Sequence, residues 1–315
     1  MSRTAFAYHE RFLDHDTGPH HPERPDRLRA ILRGLQQLNL LDRLDRLEFE
    51  PAADDLLLLN HSRAYVERLA AACDRGDPYI DCPDSAICRE SESIARLAVG
   101  AVVAAVDAVM TGRADNAFCA VRPPGHHARR DVSAGFCLYN NIAIAARRLQ
   151  SKHDAQRVMI LDWDVHHGDG TQASFEEDPT VLMCSLHEDP RYCYPGTGFA
   201  HERGRGPGEG FTVNLPMPVG ARDEHYMKAY EDEVLPHAHA FRPEVLLISD
   251  GFDAHRDDPL AGVELSDHGF AWLMTQAVAL ARELCGGRLI VVLEGGYNLG
   301  VLERCAAEHL RIILG

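Results

Sequence analysis

Short apolar runs bounded by turn residues recur along the chain, at Ala117 to Val121, Val158 to Leu161, Val181 to Cys184, Val245 to Ile248 and Leu289 to Leu293. Runs this short and this uniformly apolar read as parallel strands buried on both faces. Longer segments with helical period lie between them: Ser93 to Met110, Asn141 to Leu149, Arg222 to Ala240, Asp267 to Leu284 and Leu299 to Leu314. Strand alternating with helix predicts a doubly wound α/β sheet. The N-terminal third reads as mostly helical, with one helix over Arg24 to Leu41, after His20-His21-Pro22-Glu23, and another near Ser62 to Arg75. No low-complexity linker or fixed repeat divides the chain, so residues 1–315 are expected to form a single domain. The glycine-rich stretch Gly204 to Gly210 fails as a nucleotide loop, because the next segment, Phe211 to Leu215, looks like a strand rather than a phosphate-capping helix.

Charge narrows the partners. A formal net charge of -16 and a pI near 5.5 argue against a surface that holds nucleic acid or anionic lipid, while an acidic enzyme still attracts a cationic substrate. The start, Met1 to Glu10, lacks a basic segment followed by a long apolar one, and no uninterrupted apolar stretch approaches membrane-spanning length. A cytoplasmic protein without membrane contact is expected. The nine cysteines are odd in number and form no C-x-x-C pair, so they read as reduced thiols; Cys119 and Cys184 interrupt apolar runs, where cysteine behaves as a small hydrophobe.

In an open parallel sheet, ligands bind outside the carboxyl ends of the strands. The residues there are unusually polar. The runs are followed by Arg122-Pro123-Pro124-Gly125-His126-His127, by Asp162-Trp163-Asp164-Val165-His166-His167-Gly168-Asp169, by Ser249-Asp250-Gly251-Phe252-Asp253 and by Glu294-Gly295-Gly296-Tyr297. In an extended segment, Asp162, Asp164 and His166 face one way, which is metal-ligand spacing. An Asp and a His from this segment, joined by Asp253, would make a three-ligand divalent site with open positions. Zinc suits the mixed oxygen and nitrogen donors, and ferrous iron also fits. A lone aspartate after a strand more often caps the next helix; several such motifs at successive strand ends are harder to explain that way.

At these residues the sequence resembles the histone deacetylase family, within the arginase and deacetylase fold group, from about His21 to Asn298. The stretch Arg122 to Ala128, R-P-P-G-H-H-A, is similar to the class II branch, as are Gly135-Phe136-Cys137 with Asn140-Asn141, and Tyr194-Pro195-Gly196-Thr197-Gly198. The resemblance implies a three-layer α/β/α domain on a mostly parallel sheet of about eight strands. It implies zinc on Asp164, His166 and Asp253, with His126 and His127 as tandem catalytic imidazoles oriented by Asp162 and Asp169. Tyr297 would donate to the oxyanion; relatives with histidine at that place are weak on acetyl groups. Gly135, Phe136 and Tyr194 would line a narrow tunnel, Leu260 would stand at the gatekeeper place, and Asp84 or Asp81 would match a rim carboxylate. A structural potassium ion would sit on Asp162, Asp164, His166, Ser185 and the Leu186 carbonyl. His20, His21 and Glu23 look like the family's H-P-E loop near the entrance, whereas His153, His237 and His239 read as solvated.

The function implied is hydrolysis of an acylated amine, with acyl-lysine favoured over an acetylpolyamine because relatives selective for polyamines carry an acidic gatekeeper. A two-manganese ureohydrolase would need more clustered carboxylates, and a dead scaffold would lack a ligand or the tyrosine. A homo-oligomer is compatible with the sequence.

Overall fold

The computed structural model describes residues 3–315. Its strands are β1 (Thr4–Ala7), β2 (Asp45–Arg46), β3 (Asn116–Cys119), β4 (Val158–Asp162), β5 (Val181–Glu188), β6 (Thr212–Met217), β7 (Val245–Asp250) and β8 (Leu289–Leu293). They form one sheet in the order β2-β1-β3-β8-β7-β4-β5-β6. Every pairing is parallel. All residues of β1, β3, β4, β5, β7 and β8 are buried, so helices cover both faces, as an α/β/α arrangement requires.

The strand order fixes where a ligand binds. From β4 the chain moves outward to β5 and β6; after β7 it moves the other way, to β8. Neighbours whose onward connections diverge leave a crevice at their carboxyl ends, and β4 and β7 are such a pair.

The N-terminal third is less helical than its sequence suggests. β1 is a run of only four residues, too short for period to announce, and β2 is a two-residue exposed edge. The expected helix from Arg24 to Leu41 narrows to Asp26–Gln37, since Pro25 stands before its first turn. The segments Arg222 to Ala240 and Leu299 to Leu314 are helical, but each carries a π-helical turn, at Tyr230–Val234 and Leu302–Ala306. The helix Ser91–Met110 is, contrary to expectation, long and apolar enough to cross a membrane, yet 72% of that window is buried inside the fold. It packs against β1, β3 and the helix Asn141–His153. All nine cysteines are unpaired, Cys119 and Cys184 among the buried ones. His153 is not solvated: its Nε2 lies 2.8 Å from Asp107 Oδ1, in a cluster that Arg148 and Lys152 complete.

Buried imidazoles make the fold sensitive to acid. Burial holds His15 and His61 down to about 4, against an ordinary value of 6.5. Between those values the unfolded chain binds protons that the folded chain refuses, so stability rises with pH across this window and is lost as pH falls through it. These two rings are expected to make the melting temperature drop as pH falls from 6.5 toward 4; a flat profile over that range would contradict their neutral burial.

Candidate active site

Two loops supply the centre of the site, and their local geometry differs from simple strand alternation. β4 ends at Asp162, after which Asp162 Oδ1 accepts the Asp164 N–H (3.0 Å) and Asp164 Oδ1 accepts the His166 N–H (2.9 Å). These are successive side-chain-to-backbone turns of the kind aspartate favours, and they bring Asp162, Asp164 and His166 to one corner without an extended strand. Asp253, from the loop after β7, closes the corner by accepting the Val165 N–H at Oδ1 (2.9 Å).

The three expected ligands converge. His166 Nδ1 lies 3.1 Å from Asp164 Oδ1 and 3.2 Å from Asp253 Oδ2. Ligand atoms held at zinc distances of 2.0–2.1 Å in a tetrahedron stand about 3.3 Å apart. Asp253 Oδ2 is buried and makes no hydrogen bond among the described residues. Burial and the neighbouring Asp164 push the Asp253 carboxyl up. Burial alone would lower His166, but its contacts with Asp164 and Asp253 outweigh that and raise it to about 10. The cavity therefore favours positive charge. Glycines keep it open, because a Cβ on Gly251 would lie 2.2 Å from Asp164 Oδ2 and one on Gly295 would lie 2.1 Å from Asp253 Oδ2. An orphaned carboxylate oxygen, a matching donor spacing and an unobstructed cradle together fit a divalent metal.

The paired histidines stand beside this corner. His126 Nδ1 is 3.1 Å from Asp162 Oδ2, and its Nε2 is 3.7 Å from Asp164 Oδ1. His127 Nδ1 is 2.8 Å from Asp169 Oδ1, and the two imidazole centroids are 4.0 Å apart. Burial and the adjacent His126 charge hold His127 down to about 4. Burial opposes ionisation of Asp169, but His127 and Arg129 together bring it down to about 2. His167 turns away, to Thr197 and Gln172.

Aromatic walls flank the pair. The Phe136 ring meets Tyr297 edge-on at 5.7 Å and His21 at 4.6 Å; Tyr194 meets His127 at 5.0 Å. Burial raises the Tyr297 phenol, and the charge of Asp253 raises it further. Ser185 pairs in register with Asp162, and its hydroxyl lies 2.8 Å from His187 Nδ1; Leu186 follows it, buried. Leu260 is 39% exposed at the loop after Asp253. At the rim, Asp81 is engaged by Ser133 and Arg68, so it does not offer a free carboxylate. Asp84 accepts from Cys82 and Ser85 and is close enough to raise the Tyr194 phenol, after burial and Asp169.

Three supports were not read from the sequence as site residues. Glu294 Oε2 accepts the N–H groups of Gly125 (2.7 Å) and His126 (3.1 Å). Arg129 grips Asp169 through Nε (3.0 Å) and a terminal nitrogen (2.6 Å). Asp258 accepts the Tyr297 N–H (2.7 Å). For Glu294 and Arg129 the available signal was their place in E-G-G-Y and H-H-A-R; for Asp258 it was its place two residues before Leu260 in the loop after Asp253. Behind the site, Glu23 receives Arg122 and Arg27, all three fully buried, and Arg27 also donates through Nε to the Gly296 carbonyl.

The sequence and fold agree with known proteins. Residues 21–313 match the sequence model of the histone deacetylase domain. The chain is 40% identical to a probable deacetylase of Archaeoglobus fulgidus, over 98% of this chain and 88% of that one. It is 39% identical to a histone deacetylase-like amidohydrolase of Pseudomonas aeruginosa, over 99% and 86%. With the human polyamine deacetylase HDAC10 it shares 40% identity over 99% of this chain and 48% of that protein. The crystal structure of the HDA15 HD domain superposes with a TM-score of 0.94 at 39% identity, covering all of this chain and 88% of that one. The fold and site define an α/β amidohydrolase with a carboxylate and imidazole centre at the carboxyl edge of a parallel sheet. The chain belongs to the histone deacetylase family.

Two substitutions test the scaffold. Gly135 has φ +52°, and a Cβ there would stand 2.2 Å from His127 Cδ2, so Gly135→Ala must displace the imidazole. Deacylation is expected to fall by roughly 100-fold, in line with small misplacements of reacting groups, while circular dichroism stays native. Glu23→Gln removes the counter-charge from two fully buried guanidiniums; urea unfolding should show a loss of about 3–5 kcal/mol.

Proposed function

We propose that this protein is a zinc-dependent deacylase that hydrolyses the amide of an acylated amine, acyl-lysine foremost, in the cytoplasm. The observation that carries the reading is the convergence of the His126 and His127 pair with Asp164, His166 and Asp253 on one corner, with Tyr297 packed on Phe136 in the aromatic wall beside it. Asp164, His166 and Asp253 would hold the divalent ion, with ferrous iron an acceptable substitute for zinc. Such an ion supplies Lewis acidity to the acyl carbonyl and acidifies water. Asp162, Asp164, His166, Ser185 and the Leu186 carbonyl would hold a potassium ion with a structural role.

His127, held by Asp169, accepts the proton of the attacking water as its oxygen bonds to the acyl carbon, then delivers that proton to the amine nitrogen as the C–N bond breaks. Asp169 fixes the tautomer, and Arg129 fixes Asp169. His126, carried on Asp162, positions and stabilises charge. The Tyr297 phenol donates to the oxygen on which negative charge develops. Gly135, Phe136 and Tyr194 form a slot for a slim alkyl chain, and exclude water from it. Apolar Leu260 at the mouth and the Asp84 carboxylate at the rim suit a peptide-borne lysine. A second reading, an acetylpolyamine as substrate, draws support from the net charge of -16 and from the relative HDAC10.

The test is hydrolysis of an acetyl-lysine peptide beside N-acetylputrescine by zinc-loaded protein, with Tyr297→Phe as control. Peptide turnover that drops on the order of 10²-fold or more in the control supports the lysine deacylase. Turnover of N-acetylputrescine alone moves the assignment to the polyamine substrate. No turnover of either by metal-loaded protein rejects both as substrates.

A further inference from the structure

Asp258 is 7% exposed, and among the described residues no cationic side chain pairs with it. A carboxylate buried without a counter-ion is costly unless backbone donors replace water. Here three do. Oδ2 accepts the N–H groups of Tyr297 (2.7 Å) and Asn298 (3.0 Å), and Oδ1 accepts that of Leu260 (3.1 Å). The first two belong to the loop after β8 that carries the phenol; the third belongs to the loop after β7 that forms the mouth. Asn298 Nδ2 adds a bond to the Asp257 carbonyl (2.7 Å), so the two loops are stitched by side chains from both. On the opposite side the Tyr297 ring meets the Arg27 guanidinium, 5.1 Å from its centroid, and the edge of Phe136. Arg27 also donates to the Gly296 carbonyl, in the peptide unit that enters Tyr297, and Asp258 adds the bonds that tie this loop to the Leu260 loop.

We propose that Asp258 is a positioning residue that joins the Tyr297 loop to the Leu260 loop, so that seating of substrate at the mouth and placement of the oxyanion donor are set by one carboxylate. The inference rests on the role assigned above to Tyr297. Its chemistry is asymmetric: because all three partners are donors, an asparagine can satisfy one side only. The amide oxygen best faces the paired N–H groups of Tyr297 and Asn298, which leaves its NH₂ against the Leu260 N–H.

Two substitutions therefore separate the halves of the joint. In Asp258→Ala, hydrogen exchange read by mass spectrometry should accelerate in both segments 294–300 and 258–262, and kcat on the acetyl-lysine peptide should fall roughly 10- to 100-fold. In Asp258→Asn, exchange should accelerate in 258–262 alone, with KM raised several-fold and kcat within about threefold of the parent. In kcat, the double variant Asp258→Ala with Tyr297→Phe should be no slower than Tyr297→Phe by itself, since the effect of the carboxylate on kcat passes through the phenol. Unchanged exchange in folded Asp258→Ala, or losses that multiply in the double variant, would overturn the proposal. If Asp258→Ala does not fold, Asp258→Asn decides, because equal acceleration of both segments there contradicts the asymmetry. If the parent protein hydrolyses no acylated amine, the functional reading fails while the exchange arms still judge the joint.

Discussion

Concentrated negative charge in a place shielded from bulk water is the constraint from which the rest of this structure follows. Asp162, Asp164, Asp253 and Glu294 are all fully buried within the same end of the sheet. Left to themselves, such carboxylates would take up protons or open the fold. Instead nearly every oxygen is given a donor: backbone N–H groups from Gly125, His126, Asp164, Val165, His166 and Gly295, and the His126 ring. The oxygen left over, Asp253 Oδ2, faces the corner where the site's remaining demand for positive charge is focused. The loops are therefore shaped by electrostatic satisfaction first, and their precision as a reaction centre is a result of it.

That logic explains which glycines the site needs. Gly251, Gly295 and Gly168 each abut a carboxylate oxygen, the last with a Cβ that would stand 2.4 Å from Asp162 Oδ2. Any side chain at these places would displace an oxygen from its donors. The histidine pair is confined in the same manner from the other direction, with Gly135 pressed against His127 and Gly125 against the Asn141 backbone. Asn140 and Asn141 anchor this wall, Asn140 by capping the helix Asn141–His153 through Ala143 N and Asn141 by donating to the Pro123 carbonyl.

Much of this was legible in the amino-acid sequence, and the reason is periodicity. The strands β3, β4, β5, β7 and β8 are apolar on both faces and so stand out as uninterrupted runs, and the polar residues that end them mark the reactive edge. The two N-terminal strands were not legible: β1 is too short to show a period, and β2 is two exposed charged residues paired to it. The turns after Asp162 escaped for a different reason, since side-chain acceptance by aspartate replaces the alternation an extended strand would show. Glu294, Arg129 and Asp258 act through backbone groups or through another side chain, and such partners are defined by tertiary contact that no spacing rule encodes. His153 looked like surface because nothing near it in sequence announces Asp107, which reaches it from another helix.

The place of β8 has a consequence for biosynthesis. It is the last of the eight strands in chain order, yet it lies between β3 and β7, in the middle of the sheet. Until it arrives, the nascent chain holds two half-sheets with unpaired edges, one bearing the histidine pair and the other bearing Asp164, His166 and Asp253. Open edges of this kind invite pairing with other chains. The arriving strand seals both edges and brings with it Glu294, which grips the backbone of Gly125 and His126. Partial chains thus carry the two halves of the reaction centre without joining them, and catalytic competence appears in a single late event rather than by degrees.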